Sequence, residues 1–243
     1  MKKIYIRNHL GLGDHVICLG LYRSLALHSE EIVIPVRSTN FKSVNFFLRD
    51  LKNVRIVKFP TEIAEDCMIF FGFFAQKIGF EELKLGHWGS NFMNEKRFDE
   101  SFYLQAGVTF ENRWSWFNYD RDLVEELELF QSYDVNPGDY IFLHEDEKRN
   151  FKIDRDLIQS NLKVVQPRLG RKTKSLASYR YLIENAAQIH VIESSFAAYS
   201  DSFEVKGSRF AHRYARPEAM RNPLHEFSYS HNWTVFCKPT NVL

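Results

Sequence analysis

Apolar residues recur at two spacings along the chain, and the alternation between these spacings predicts an α/β fold. In the first half, β-prone segments at Ile4–Ile6, Ile32–Val36 and Val54–Phe59 are separated by stretches whose apolar residues return every three or four positions. A spacing of two is typical of a half-buried strand, whereas a spacing of three to four is typical of an amphipathic helix. Strands that alternate with helices predict a parallel, Rossmann-like sheet.

Three further predictions concern single segments of this first half. Pro35 lacks an N–H donor, which favours an edge position for its strand. The continuous apolar run Cys67–Phe74 is typical of a central parallel strand. Helical spacing predicts helices within Asn40–Leu51 and Phe92–Leu104.

The second half repeats the alternation after an interruption. Strands are predicted at Tyr140–His144, Leu162–Gln166 and Ala187–Ile192, and a last strand or tail from Asn232 onward. The helices predicted here are an acidic one at Asp122–Phe130, then Ser175–Asn185 and Phe196–Phe203. The turn Asn136–Asp139 follows the acidic helix. We therefore predict two Rossmann-like domains, residues 1–125 and 126–243, with the boundary between Tyr119 and Gly138.

Composition is that of a water-soluble globular protein. The 243 residues are 44% hydrophobic and 26% charged, and no apolar run has membrane-spanning length. The three cysteines, Cys18, Cys67 and Cys237, lack disulfide or metal spacing and are typical of a reducing compartment. Arg7, His9 and Asp14 interrupt any signal-peptide core near the start of the chain, so a cytoplasmic location is expected.

Charge is unevenly distributed behind a net charge of +1. Residues 120–147 carry 1 Lys or Arg against 10 Asp and Glu, a net charge of −9. Residues 148–221 carry 15 against 7, a net charge of +8. The acidic block is typical of a solvated helix face, and the basic block favours phosphate-bearing ligands, a nucleotide or a polymer.

The first candidate site is the glycine-rich turn after the first strand. Gly11 and Gly13 allow close approach of the backbone to a ligand, and Asp14 and His15 follow where the next helix begins. In open α/β sheets, ligands bind at the carboxyl ends of the strands, where such turns lie. Two interpretations of Asp14 stay open, a helix N-cap and a carboxylate that faces a ligand.

This turn resembles the amino-terminal loop of GT-B glycosyltransferases of the heptosyltransferase-like type. The resemblance rests on Gly11, Gly13, Asp14 and Val16. It implies a fold of two Rossmann-like domains that face a cleft, with Asp14 as the catalytic base. His15 is the alternative base.

The second candidate site is the strand–helix junction Glu193-Ser194-Ser195. Free N–H groups at the start of a helix favour a diphosphate, and a carboxylate at the strand end accepts hydrogen bonds from ribose hydroxyls. The junction resembles the donor-nucleotide site in the carboxyl-terminal domain of GT-B enzymes. The alternative is structural, with Ser194 as an N-cap and Glu193 solvated.

Basic residues provide the third set of candidates. His144, Lys148 and Arg149 follow the first strand of the second domain, and Arg168 follows the next strand. Cations there stabilise the charge of a diphosphate leaving group, and a charged surface loop is the alternative. Further basic residues lie in Arg171–Lys174 and in Ser208–Arg221, where they either bind a phosphate-bearing acceptor or form ion pairs.

Several other chemistries lack their motifs. The nine histidines are dispersed, and neither HxxxH, DxD nor a cysteine pair has ligand spacing, so no metal site and no metal requirement are predicted. The chain contains no GxSxG elbow and no Walker A motif. Val16 stands where the last glycine of GxGxxG belongs, which argues against a dinucleotide oxidoreductase.

The resemblance implies a glycosyltransferase that uses a nucleoside-diphosphate sugar as co-substrate and no tightly bound cofactor. A surface glycan or lipopolysaccharide is the acceptor it implies. Two alternatives stay open: a phage-type glycosyltransferase that modifies DNA bases, and a non-catalytic protein that binds nucleotides or glycans. An ionised Asp14 in the site distinguishes an enzyme from a binder, because only the enzyme needs a base.

Overall fold

The computed structural model describes residues 1–90, 92–93, 96–168, 175–217 and 223–237. The chain divides into two compact units, Met1–Asp120 and Arg121–Leu243, which we call unit 1 and unit 2. Each unit contains one sheet, and every strand pairing recorded in the two sheets is parallel. This confirms the α/β class with two Rossmann-like sheets.

Unit 1 has a four-stranded sheet in the order β3-β2-β1-β4. Its strands are β1 Lys2–Arg7, β2 Ser29–Arg37, β3 Val54–Phe59 and β4 Glu81–Lys84. Its helices are α1 Leu12–Ile17, α2 Leu19–Ala26, α3 Phe41–Leu48, α4 Ala64–Lys77, α5 Phe98–Ala106 and α6 Asn112–Ser115. Short 3₁₀ turns occur at Thr61–Ile63 and Gly86–Trp88.

Unit 2 has a five-stranded sheet in the order β6-β5-β7-β8-β9. Its strands are β5 Tyr140–His144, β6 Lys163–Val165, β7 Gln188–Val191, β8 Ser208–His212 and β9 Trp233–Phe236. Its helices are α7 Leu123–Gln131, α8 Arg180–Glu184 and α9 Ser195–Ser200. The described part of unit 2 also has 3₁₀ turns at Glu147–Arg149, Arg155–Leu157, Leu176–Tyr179, Arg213–Ala215 and Pro223–His225.

The division between the units lies within the predicted range Tyr119–Gly138, although unit 2 starts at Arg121, five residues before the predicted domain start at residue 126. The Arg121 guanidinium explains this position. It forms ion pairs with Glu126 and, at 3.0 Å, with Glu184, and both carboxylates belong to unit 2. The charge-assisted pairs therefore hold the residue after Asp120 to the second sheet's helices.

The prediction of a central strand at Cys67–Phe74 is wrong, because this run lies inside α4. A continuous apolar run fits a buried strand and a helix equally well, and only the tertiary structure decides. In the helix, Ala64, Met68 and Ala75 are buried against the sheet. The phenylalanines between them point in several directions, and Phe70 is 78% exposed.

The edge position predicted from Pro35 is also wrong, because β2 lies between β3 and β1. The recorded pairing of β2 with β1 ends at Val33, opposite Tyr5, whereas Pro35 pairs with Val57 of β3. Pro35 thus lies beyond the β1 ladder, where a missing N–H removes no hydrogen bond to that strand.

Two predicted helices have different bounds or types. The helix expected at Phe92–Leu104 is α5, which begins only at Phe98. The segment Ser175–Asn185 consists of the 3₁₀ turn Leu176–Tyr179 followed by α8.

The aromatic residues of segment 102–117 pack among themselves inside unit 1. The ring centroids of Tyr103 and Phe110 lie 5.4 Å apart, and those of Phe110 and Trp114 lie 5.1 Å apart. Arg113 is buried among them, 4.9 Å from the Trp114 ring, and forms an ion pair with the buried Asp99. These contacts support a packing role for the cluster.

The last strand is fixed by one buried carboxylate. Asp201 is fully buried and accepts hydrogen bonds from the backbone N–H of Ser230 at 3.1 Å and from the indole Nε1 of Trp233 at 2.9 Å. The residues from Asn232 onward therefore include a true strand, β9, which pairs with β8.

Two buried histidines join β7 to β8 through one directed chain of hydrogen bonds. His190 Nε2 lies 3.1 Å from Gln188 Oε1, and His190 Nδ1 lies 2.9 Å from His212 Nε2. His212 Nδ1 lies 3.1 Å from the Tyr214 hydroxyl, which accepts the N–H of Asp154. Because the amide oxygen only accepts, each ring carries one proton and both rings are neutral. Burial lowers the pKa of His190 to about 4 and that of His212 to about 3.

We expect this pair to make the protein less stable in acid. Both pKa values lie below the value of about 6.5 in an unfolded chain, so the contribution is complete above pH 6.5. It is lost as pH falls towards 4, by roughly 1.4 kcal/mol per pH unit for each histidine, because only the unfolded chain takes up the protons. Urea unfolding between pH 7 and pH 4.5 measures this slope, and His212→Gln should flatten it. Equal slopes in the wild type and the variant would contradict the assignment.

Candidate functional site

The turn after β1 places Asp14 at the carboxyl end of the unit 1 sheet. Gly11 is the N-cap of α1, Gly13 lies in the first turn, and Asp14 follows. A Cβ atom on Gly11 would lie 2.5 Å from Asp14 Oδ2, so any other residue there would displace the carboxylate. Asp14 lies in the first turn of α1 rather than at its N-cap, and its side chain is 26% exposed. The carboxylate is therefore in contact with solvent at the carboxyl end of the sheet.

His9 is the neighbour of Asp14 that the sequence analysis left without a role. Its Nε2 accepts the backbone N–H of His87 at 3.0 Å, so the proton of the neutral ring is on Nδ1. His9 Nδ1 lies 3.9 Å from Asp14 Oδ2. Burial, and next the charge of His87, lower the pKa of His9 to about 4. At neutral pH, His9 therefore turns an N–H dipole, rather than a full charge, towards Asp14.

The ring of His9 is held in place by aromatic packing and by a glycine. Its centroid lies 4.2 Å from that of His87 and 5.3 Å from that of Phe102. Gly86 has φ +64°, and a Cβ atom there would lie 2.3 Å from His9 Nε2. The left-handed backbone and the close approach both require glycine at this position.

His15, the alternative base in the sequence analysis, lies in the core of unit 1. It is 1% exposed, and its Nδ1 lies 3.2 Å from the Tyr22 hydroxyl and 3.4 Å from Asn8 Nδ2. Burial lowers its pKa to about 3. We therefore withdraw the catalytic interpretation of His15, because a neutral ring without solvent access does not reach a substrate hydroxyl.

In unit 2, the parallel pairing of β5 with β7 brings two predicted segments together. His144 is the last residue of β5 and stands opposite Val191, two residues before Glu193. The Ser194 hydroxyl lies 3.1 Å from His144 Nδ1. Ser194 is the N-cap of α9, and Ser195 is its first residue. No side-chain capping bond is made by Ser194, so its hydroxyl is committed to His144 and not to the helix.

Glu193 is a buried carboxyl group with basic neighbours. It is 4% exposed, and its Oε1 lies 3.7 Å from Nε of Arg213. Burial raises the pKa of Glu193 to about 7, although Arg213 and Arg216 act to lower it. The Arg216 guanidinium donates to the backbone carbonyl of Glu193. Glu193 therefore changes its protonation state near neutral pH.

The predicted cations Lys148, Arg149 and Arg168 are arranged differently. Lys148 and Arg149 lie in an exposed 3₁₀ turn, where Arg149 Nε donates to Asp146 Oδ2 at 2.7 Å. The Arg168 guanidinium lies 4.6 Å from the Tyr133 ring and donates to the carbonyl of Ser132. Neither arginine is recorded beside Glu193. Arg171–Lys174 lie outside the described residues.

Arg213 and Arg216 supply the cations that the sequence analysis did not assign to the site. Both lie just after β8, within the basic segment that the sequence shows, but only the β7–β8 pairing places this segment beside Glu193. Arg213 is also 3.4 Å from Glu226. The signal for these cations in the sequence was Ser208–Arg221, a segment in which four arginines alternate with aromatic residues.

Two kinds of structural feature are absent from the described ranges. No group of three or more His, Cys, Asp or Glu side chains is placed to hold a metal ion there. No described helix is both long and apolar enough to span a membrane. A cavity of about 430 Å³ lies at the other end of β1, between the end of α2 and the residues that follow α5. None of the candidate site residues lines it.

We expect the charge of Arg213 to control the titration of Glu193. Arg213→Gln removes the cation nearest to the carboxylate, so the pKa of Glu193 should rise above about 7. Carbon-13 NMR titration of the Glu193 carboxyl measures it. Arg155→Gln is the matched control, because Arg155 pairs with Glu145. An unchanged Glu193 titration in the Arg213 variant would remove Arg213 from the cluster.

No protein-family profile matches the chain, and no curated protein is similar to it in sequence. Among solved structures, the iron-containing dodecameric glycosyltransferase TibC from enterotoxigenic E. coli H10407 is similar, with a TM-score of 0.51 and 11% identity. The match covers 94% of this chain but 61% of TibC, so the chain spans less than two thirds of that protein.

Two E. coli heptosyltransferases give weaker similarity. WaaC, solved with ADP, has a TM-score of 0.44 and 9% identity over 87% of each chain. ADP-heptose lps heptosyltransferase II has a TM-score of 0.47 and 14% identity over 97% of this chain and 90% of its own. At such identities the comparisons show a fold, and the chain shares that fold with the glycosyltransferase TibC.

Proposed function

We propose that the protein is a glycosyltransferase that moves a sugar from a nucleoside-diphosphate sugar to an acceptor hydroxyl. The observation that carries the proposal is the position of Asp14, a partly exposed carboxylate at the carboxyl end of β1. This edge of a parallel sheet is where α/β proteins bind ligands. The fold shared with the glycosyltransferase TibC supports the same class of reaction.

Asp14 acts as the general base in this proposal. The proton of the acceptor hydroxyl passes to the Asp14 carboxylate, and the acceptor oxygen forms a bond to the anomeric carbon of the sugar. The bond between that carbon and the diphosphate oxygen breaks, and the nucleoside diphosphate leaves with the electron pair. The neutral ring of His9 lies beside the carboxylate, with its Nδ1 3.9 Å from Asp14 Oδ2.

We assign the donor to unit 2, at the cluster of His144, Glu193, Ser194 and Ser195. Glu193 accepts hydrogen bonds from ribose hydroxyls, while the hydroxyls and backbone N–H groups at the start of α9 bind the diphosphate. Arg213 and Arg216 take the role that the sequence analysis gave to Arg149 and Arg168. No metal ion is required in this scheme, because guanidinium groups balance the phosphate charge. A glycan or lipopolysaccharide is the acceptor that we propose.

Replacement of Asp14 tests the base. Asp14→Asn keeps the size of the side chain and removes the proton acceptor, so turnover should fall by roughly a hundredfold or more. The melting temperature should change little, because Asn keeps the size of the side chain and one acceptor oxygen. Nucleotide affinity should change little, because the donor is assigned to unit 2. Glu62→Gln, an exposed carboxylate change in the same unit, is the control. Turnover near the wild-type value in Asp14→Asn would end the general-base proposal, whereas nucleotide-sugar binding without any turnover in the wild type would favour the binding protein.

Replacement of Glu193 tests the donor site. Thermal-shift screening against UDP-, GDP-, ADP- and CMP-sugars first identifies the nucleotide, since binding raises stability by mass action. For that nucleotide, calorimetry on Glu193→Ala should show affinity weakened by roughly 1–3 kcal/mol, the cost of a charge-assisted hydrogen bond. Glu204→Ala is the control, because that side chain is 89% exposed. Unchanged affinity in the Glu193 variant would remove this residue from the site.

A further inference from the structure

The outer face of α4 is apolar although it is exposed. The inner face of this 14-residue helix buries Ala64, Met68 and Ala75. On the outer face, Phe70 is 78% exposed, Phe73 59% and Phe74 53%. The flanking residues Ile63 and Ile78 are 51% and 54% exposed. We call these five side chains the α4 stripe.

The α4 stripe is large enough to form a stable contact. With about 200 Å² for each fully exposed large side chain, the exposed fractions amount to roughly 600 Å² per copy. Two such faces together reach the roughly 1,000 Å² that a specific interface needs, before any polar rim is counted. An apolar patch of this size on a surface marks an interaction site.

Two opposite charges lie on the same face, one at each end. At 100° per residue, Asp66 and Lys77 project within about 20° of each other, in directions between those of Phe73 and Phe70. Both side chains are exposed, and neither has an ion-pair partner among the described residues. Their neighbours on the flank are engaged within unit 1, since Glu65 pairs with Arg37 and Gln76 donates to Glu82.

We propose that the α4 stripe binds the same stripe of a second copy of this chain, with the two helices antiparallel around a two-fold axis. One register satisfies both kinds of contact. When Asp66 stands opposite Lys77 of the second copy, Phe70 stands opposite Phe73, because both pairs are symmetric about the same point of the helix. A two-fold contact repeats each pair, so the ion pair and the aromatic pair both form twice.

The antiparallel arrangement is also the one that electrostatics favours. The acidic start of each helix faces the end of the other helix, where Lys77 lies, and the two helix dipoles oppose each other. A membrane surface fits the stripe less well. Glu62, Glu65 and Asp66 at its start would be repelled by anionic lipids.

The test exchanges the charges of Asp66 and Lys77, because in a two-fold contact the double exchange forms both ion pairs again. Sedimentation equilibrium of the wild-type chain should show a reversible dimer. Asp66→Lys alone, or Lys77→Asp alone, places like charges opposite each other and should weaken dimerisation by roughly tenfold or more. The double variant Asp66→Lys/Lys77→Asp should restore the wild-type dissociation constant. Dimers that persist unchanged in both single variants would refute the proposed register.

A second pair of variants tests the apolar contact. Phe70→Ser/Phe73→Ser should give a monomer with an unchanged far-ultraviolet circular dichroism spectrum, because both side chains are exposed. Leu104→Ser, a change at a 56% exposed leucine outside the stripe, is the control and should leave the dimer intact. A wild-type chain that remains monomeric at 100 times the concentration used for sedimentation equilibrium would overturn the proposal. Loss of binding to anionic vesicles in the phenylalanine variant, without any change of mass, would assign the stripe to a membrane instead.

Discussion

Parallel strand pairing is the constraint on which both candidate clusters depend. In a parallel sheet, all carboxyl ends lie at one edge, so residues distant in sequence become neighbours without any contact between their own segments. β5 beside β7 brings His144 to Ser194, and β7 beside β8 brings Arg213 to Glu193. In unit 1, β1 beside β4 brings His9 to His87 in the same way. Changes to this register would disperse the polar groups that give each cluster its chemistry.

Burial without full charge compensation then sets the electrostatics of these clusters. It lowers the pKa of His9, His15 and His144, which favours their neutral forms, and it raises that of Glu193 to about 7. The Asp14 side chain differs from these, since it is in contact with solvent. The contrast between one accessible carboxylate and its neutral histidine neighbours distinguishes a candidate base from residues that only shape its surroundings.

The apolar surface of α4 is independent of this chemistry. The α4 stripe lies on the outer face of α4, whose inner face packs against the sheet, whereas Asp14 lies at the carboxyl ends of the strands. The proposed dimer contact and the proposed transfer reaction use different residues of unit 1. Loss of one would therefore not imply loss of the other.

Local patterns determined much of this protein from the sequence alone. Period-two spacing located β3 and a short apolar run located β5, both with the observed bounds, and the turn at Gly11–Asp14 marked the carboxyl end of β1. The tertiary structure decided the rest, because identical patterns have different meanings in different surroundings. The apolar run Cys67–Phe74 is a half-exposed helix, and His15 is a core residue although it adjoins Asp14. Arg213 rather than Arg149 reaches Glu193, since strand order, which no local pattern records, determines which loops meet.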